Sequence, residues 1–437
     1  MSLKSSASID LLMSTLLQRQ LANRRTGEFA GIPSVCSAHP WVVRAAAEQA
    51  TEDGSLLLIE ATSNQVNQFG GYTGMRPQQF REFVLRQVAD AGFPAEKLIL
   101  GGDHLGPNPW RREPAERALH LAEGMVAEYV NAGFSKIHLD ASMPLGDDST
   151  PLSDKVIAHR AVRLCHAAEA ARTGGEAPVY VIGTEVPVPG GATHPLNGVE
   201  VTSAEAAEKT LEVHKRAFTE AGLGKVWSRV LAIVVQPGVE FDHDSVVGYD
   251  RQNARPLTSW LDSQAEAIVF EAHSSDYQRA SAYPELVQDG FAILKVGPAL
   301  TFAMREAIYA LADMEDVLVP EHERSLLARV VEETMLREPA DWQSYYTGTI
   351  AEQRLLRVYS YSDRVRYYWH RPEIAAAVER LIKNLSSVKL PETMCSRYLP
   401  AQYRRLREGL IASDPASMIV DAIRDVLRVY AAACTRA

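Results

Sequence analysis

The sharpest chemical signal in this sequence is Asp103-His104, a carboxylate beside an imidazole after a short apolar run. A histidine at a strand end can offer a ring nitrogen to a divalent metal. The adjacent aspartate is expected to point to the other side of the strand, where it can act as general base. Glu185, His243 and His273 follow three other apolar runs. With His104 they form a His/Glu set able to hold Zn²⁺, or Mg²⁺ or Mn²⁺, with one position open. His39 and His138 are secondary candidates. Each of these has a plain alternative as a hydrogen-bonded loop residue.

Eight apolar runs must position these groups: Gly31–Cys36, Leu56–Ala61, Lys97–Leu100, Lys136–Leu139, Val179–Ile182, Val230–Val235, Ala267–Phe270 and Phe291–Val296. Runs such as Leu-Leu-Leu-Ile at 56–59 are apolar throughout, as suits strands covered on both faces of a parallel sheet. Amphipathic stretches lie between them. Pro77 suits a first helical turn and Gly92 its stop; Gly133 and Gly174 sit where two other helices should end. Thr202 with Glu205 reads as a capping box before Ala206–Ala221. Eight βα units over about 290 residues match a (β/α)8 barrel. A doubly wound open sheet is the competing fold, disfavoured because polar clusters follow nearly every run. The expected division is a leading helix over 1–23, the barrel over 24–315 and a helical C-terminal extension over 316–437. Within the extension, Arg357–Trp369 is basic and aromatic, fit for a cap packed on the barrel or for a lid.

Active sites of such barrels form at the C-terminal ends of the strands. There the sequence places Glu60, Asn64 and Gln65 after the second run, Asp140 after the fourth and Gln236 after the sixth. So many polar groups would cost several kcal/mol each if buried unpaired, so they are expected to line one solvent-accessible cup. Barrels often hold phosphate with the loops after strands seven and eight. Ser274, Ser275, Lys295 and Gly297 occupy those places, although a glycine turn and a paired lysine would look the same.

The formal net charge is −10 with no long Lys/Arg run, which disfavours nucleic acid and anionic membranes as partners. Cys36, Cys165, Cys395 and Cys434 are widely spaced and read as reduced thiols of a cytoplasmic protein. No apolar run reaches the length of a membrane span. No strand–GxGxxG–helix unit or GxxxxGK[ST] motif occurs, so no nucleotide is expected.

The strings GIPSVCSAHP (31–40), IEATSNQVNQFGGYTGM (59–75), GGDHLGPN (101–108), GFSKIHLDAS (133–142), GTEVPVPGG (183–191), VVQPGVEFDH (234–243), FEAHSSDYQ (270–278) and ILKVGPALTF (293–302) resemble the class II D-tagatose-1,6-bisphosphate aldolase non-catalytic subunit family. The resemblance runs from about residue 24 to the C-terminus. It implies a TIM barrel serving tagatose or galactitol breakdown, in which this type of subunit supports a separate catalytic aldolase chain. It also implies a ketohexose phosphate ligand, D-tagatose 6-phosphate or the 1,6-bisphosphate. Some relatives are regarded as D-tagatose-6-phosphate 4-epimerases, and the label tagatose-6-phosphate kinase has been attached to others. By analogy with class II aldolases, Asp103 would take the C4 hydroxyl proton and Asp140 or Glu60 would return it. A homo-oligomer is compatible with all of these readings.

Overall fold

The computed structural model describes residues 16–21, 30–174, 177–184 and 199–435. Eight parallel strands form a closed barrel: β1 (Ile32–Val35), β2 (Leu57–Thr62), β3 (Leu98–Leu105), β4 (Lys136–Leu139), β5 (Val179–Ile182), β6 (Val230–Val235), β7 (Val269–Ala272) and β8 (Phe291–Val296). Strands adjacent in sequence are adjacent in the barrel. β1 and β8 complete the circle, pairing from Ile32–Ile293 to Val35–Val296. That closure excludes the open sheet.

The wall helices are α1 (Pro40–Asp53), α2 (Pro77–Asp90), α3 (Ala115–Asn131), α4 (Asp154–Ala170), α5 (Ala204–Glu220), α6 (Arg251–Ser263), α7 (Ala282–Gln288) and α8 (Pro298–Leu318). α2 shows why such segments are helices. Pro77 starts it, and Phe80, Val84 and Val88, four apart, bury one stripe against the sheet. Gly92 follows at φ +71°. The cap of α5 is Ser203, whose Oγ accepts from Ala206 N at 3.1 Å. Thr202, the expected cap, instead accepts from Gln236 N at 2.9 Å, tying α5 to the end of β6.

Two strands differ from expectation by more than one residue at an end. β3 runs on to Leu105 rather than stopping at Leu100, and β7 covers Val269–Ala272 rather than Ala267–Phe270. Gly101-Gly102 looks like a turn in sequence, but Gly101 is a strand residue paired with Glu60 on one side and Lys136 on the other. A Cβ on Gly101 would come within 2.5 Å of Glu60 Oε1, so glycine is what lets the neighbouring side chains converge across it.

The two mouths of the barrel differ in character. At the N-terminal end, helical residues 16–21 bring Leu17 and Leu21 against Ile32, Leu58, Ile99 and Val179, an apolar plug. Each fully buried aliphatic side chain there is worth about 1.5–3 kcal/mol. The C-terminal end is polar. Beyond α8 the chain is helical: α9 (Leu327–Arg337), α10 (Ile350–Tyr359), α11 (Pro372–Ser386), α12 (Glu392–Tyr398), α13 (Pro400–Arg407) and α14 (Pro415–Cys434). α14 returns to pack between α1 and α8, and Tyr430 donates to Ser275 O at 2.9 Å. No helix among the described residues is long and apolar enough to cross a membrane.

Candidate active site

Period-two spacing delivers the site's side chains to the barrel axis. On β4 and just beyond it, Lys136, His138 and Asp140 all face inward and are buried. Glu271 on β7 and His273 behind it do the same. Asp103 and His104 are consecutive, so a regular strand would separate them. Instead the β3–β4 register slips between Gly102 and Leu105, and His104 takes φ +47°. This bulge brings both side chains to one cluster, with His104 Nε2 3.8 Å from Asp103 Oδ2. The sequence expectation that they point apart is therefore corrected. Gly106 allows the bulged strand to pass β4, since a Cβ there would lie 1.5 Å from Asp140 O.

The deepest layer is an ionic floor. Lys136 Nζ lies 2.5 Å from Glu60 Oε1 and 2.6 Å from Glu271 Oε2, all three fully buried. Lys295 Nζ pairs with Glu60 and lies 2.8 Å from Asp103 Oδ1. The expectation that the strand-end polar groups line an open cup is thus corrected for Glu60. It is buried, and it is tolerated because lysines compensate it. Burial opposes the Lys136 charge, but Glu271 and Glu60 outweigh it and raise its pKa. Burial likewise pushes the Glu271 carboxyl up, and Lys136 and Lys295 overcome this and hold it well below the usual range.

Above the floor sits an acid–base layer. His104 Nδ1 contacts Asp140 Oδ2 at 2.8 Å, and His138 Nδ1 contacts Asp103 Oδ1 at 3.1 Å. Burial pushes the Asp103 carboxyl up, yet the His104 and Lys295 charges and the His138 hydrogen bond hold it well below the usual range. Burial lowers the pKa of His104, but the Asp103 and Asp140 carboxylates raise it overall. His273 goes the other way: burial takes its pKa to about 4 despite a 3.0 Å contact with Glu271. At neutral pH the layer therefore offers an ionised Asp103, a His104 biased toward its cation and a neutral His273.

A cavity of about 90 Å³ opens over this layer, lined by Asp103, His104, His273, Asn64, Gln65 and Ser274 among others. Asp103, His138, Glu271 and His273 place one donor atom each within 4.8 Å of one another. His138 Nε2 is buried with no hydrogen-bond partner among the described residues. This donor set is compatible with a divalent ion.

Other sequence candidates lie differently. Glu185 falls outside the described residues. His243 stands apart from the clustered donors, 3.1 Å from Ser360 Oγ and edge-on to Tyr346, where it docks the C-terminal extension. Gln236 Oε1 accepts from Gly238 N and Val239 N and shapes the turn after β6. His39 caps α1 by accepting from Trp41 N at 3.3 Å, and burial holds its pKa at about 4. Ser275 is fully buried and donates to Lys295 O at 2.6 Å. The amides of Gly297 and Ala299, at the start of α8, donate to Asp276 Oδ1 at 3.1 and 2.8 Å.

Sequence reading gave no site role to Lys136, to Glu271 and Asp276 after the seventh run, or to Arg366 and Tyr367 within the Arg357–Trp369 segment. For Lys136 a signal existed: a lone charge inside an apolar strand, which survives burial only when paired. Arg366 and Tyr367 come from the extension, and no spacing rule links them to the barrel mouth they line.

Residues 17–435 match the family model described as D-tagatose-1,6-bisphosphate aldolase subunit GatZ/KbaZ-like. The chain belongs to this family. Among its relatives, the D-tagatose-1,6-bisphosphate aldolase subunit GatZ of Salmonella dublin is 51% identical over 417 residues, 95% of this chain and 98% of the relative. The Salmonella heidelberg subunit of the same name is 52% identical over 419 residues, with the same coverage. A crystal structure from Sinorhizobium meliloti 1021, described as a "probable tagatose 6 phosphate kinase", is 50% identical. It superposes with a TM-score of 0.86, covering 92% of this chain and all of that one. Two different activities are thus named among chains of near-equal similarity to this one.

Proposed function

We propose that the chain serves tagatose or galactitol catabolism as the ketohexose-phosphate-binding subunit of a D-tagatose-1,6-bisphosphate aldolase, working with a separate catalytic aldolase subunit in the cytoplasm. The observation that carries this reading is the pairing of ionised Asp103 with the His104–Asp140 couple under a polar cavity, in a chain of this family. Asn64 and Gln65 would contact the sugar hydroxyls. His138, Glu271 and His273, members of the described donor cluster, would hold a divalent ion while Asp103 stays free as base, and the two imidazoles favour Zn²⁺ over Mg²⁺ or Mn²⁺. Such an ion supplies Lewis-acid polarisation of a sugar carbonyl. Mixing the pure chain with a catalytic aldolase chain tests the proposal. The mixture is expected to cleave D-tagatose 1,6-bisphosphate faster, or for longer, than the catalytic chain alone. Titration calorimetry should show that this chain binds the sugar phosphate. No binding together with no effect on the catalytic chain rejects the proposal.

The charged acid–base layer favours a second reading, in which this chain itself epimerises D-tagatose 6-phosphate at C4. Asp103 would take the C4 hydroxyl proton. The C3–C4 bond would break, leaving an aldehyde at C4 and its electron pair in a C2–C3 enediolate. After the aldehyde turns over, the bond re-forms and the alkoxide on its new face takes a proton from the His104–Asp140 couple, while the proton held by Asp103 passes through solvent to restore that couple. NMR of the pure chain with D-tagatose 6-phosphate decides this: D-fructose 6-phosphate should appear with wild type and fall at least 10³-fold with Asp103→Asn. A spectrum unchanged at every metal concentration removes the second reading and leaves the first.

A further inference from the structure

Three of the four groups that the sequence offered for phosphate already have protein partners, and the fourth, Ser274, is a neutral hydroxyl on the cavity wall. The α8 amides of Gly297 and Ala299 donate to Asp276, and Ser275 donates to Lys295 O. Lys295 lies among Glu60, Asp103 and Glu271. The imidazoles of His104 and His273 face Asp140 and Glu271. One cation lining the cavity differs. Arg366, carried in by the turn that follows α10, has no carboxylate within ion-pair distance among the described residues. Its Nη1 donates to Ser362 O and, at 3.3 Å, to Asp363 O, and its Nη2 donates to Tyr367 Oη at 3.1 Å. The two acids that feel its charge are engaged elsewhere: Asp363 gives its carboxylate to Arg305 at 3.2 Å and Thr301 at 2.5 Å, and Asp276 accepts the α8 amides.

We propose that Arg366 is the phosphate anchor of this cup, binding the phosphomonoester end of the sugar, and that the C-terminal extension rather than the β7 and β8 loops provides it. Three observations support this assignment. An arginine fork matches two phosphate oxygens, and among the described residues Nε–H and one Nη2–H of Arg366 have no acceptor. The side chain is fixed in advance by its two backbone carbonyls and Tyr367, so little rotamer entropy is lost on binding. Arg366 also lines a second, larger cavity of about 730 Å³ that shares Cys36, Gln65, Tyr72 and Gly297 with the first. The anchor thus stands where the two spaces meet, and a ligand held there by its phosphate can extend its carbon chain over Asp103. The inference rests on the ketohexose-phosphate reading for the sugar, but not for the anion.

The experiment has two arms. In the first, calorimetry compares D-tagatose 6-phosphate with D-tagatose on wild type, Arg366→Gln and Arg366→Lys. The glutamine variant is expected to weaken the sugar phosphate at least 30-fold while leaving the neutral sugar within twofold, with the lysine variant between. Equal weakening of both sugars, or no change, overturns the anchor. The second arm uses unmutated protein, so it stands even if the variants fold poorly. Phenylglyoxal modification of Arg366, followed by peptide mass spectrometry, should be slowed by D-tagatose 6-phosphate and by inorganic phosphate. Protection by inorganic phosphate without any binding of the sugar phosphate keeps the anion site and rejects the ketohexose-phosphate function. Protection by neither overturns the anion site.

Discussion

The floor of the cup and its rim handle charge in opposite ways. On the floor, Glu60, Lys136, Glu271 and Lys295 are buried against one another, each charge answered within the protein. On the rim, Arg366 hydrogen-bonds neutral acceptors and has no carboxylate within ion-pair distance among the described residues, although Asp276 and Asp363 lie close enough to feel its charge. Charges that are mutually compensated serve the fold and set the electrostatics above them. A charge held in place without a direct ion pair is available to a ligand. The difference follows from where each comes from: the floor residues are strand residues locked by barrel register, and the rim residue arrives on the extension.

Breaking the floor should give the largest effect. Lys136→Met leaves two buried carboxylates short of a cation and is expected to cost about 3–5 kcal/mol of stability, read by urea denaturation. A loss under 1 kcal/mol would mean the floor is not the buried ion network described. Next comes the layer between floor and rim. Asp140→Asn removes the carboxylate that orients His104 and raises its pKa. Turnover, or stimulation of the catalytic partner, is expected to fall about 10²-fold with the fold intact by circular dichroism. An unchanged rate would detach His104–Asp140 from the chemistry.

The smallest effect concerns the wall of the cup. Burial raises the pKa of Glu240 to about 7, even though its carboxylate accepts from Phe241 N at 3.0 Å. Its folded value thus lies above its unfolded one. The stabilisation from the protonated form is complete below about pH 4.5 and disappears as pH rises through about 7. Glu240→Gln keeps an acceptor and removes the titration. The variant's melting temperature should match wild type near pH 4.5 and exceed it by a few degrees at pH 8, for a difference of about 2–3 kcal/mol. A gap constant with pH would contradict the shift.

Much of the fold was legible in the sequence. Apolar runs such as Leu231–Val235 are buried on both faces in a parallel barrel, so composition alone marks them. Asp103, His104, His273 and Asp140 were legible as polar groups at strand ends, and the fold gathers them at one mouth of the barrel. The length of β3 was not, because Gly101-Gly102 reads as a turn until Glu60 is seen to lie against it. Lys136 was hidden inside a segment that scans as an ordinary strand, and Glu271 became a strand residue only because β7 runs on to Ala272. Ser203 rather than Thr202 caps α5 because Thr202 is taken by Gln236, a contact between elements more than 30 residues apart.

The sequence by itself determined the alternation of strand and helix, the barrel it closes into, and the inventory of carboxylates and imidazoles at one mouth. These follow from local burial patterns that any short window of chain displays. Only the tertiary structure decided which of those charges answer one another and which stay available. That outcome depends on barrel register, on the slip that turns His104 beside Asp103, and on a turn more than 200 residues later that brings Arg366 to the cavity.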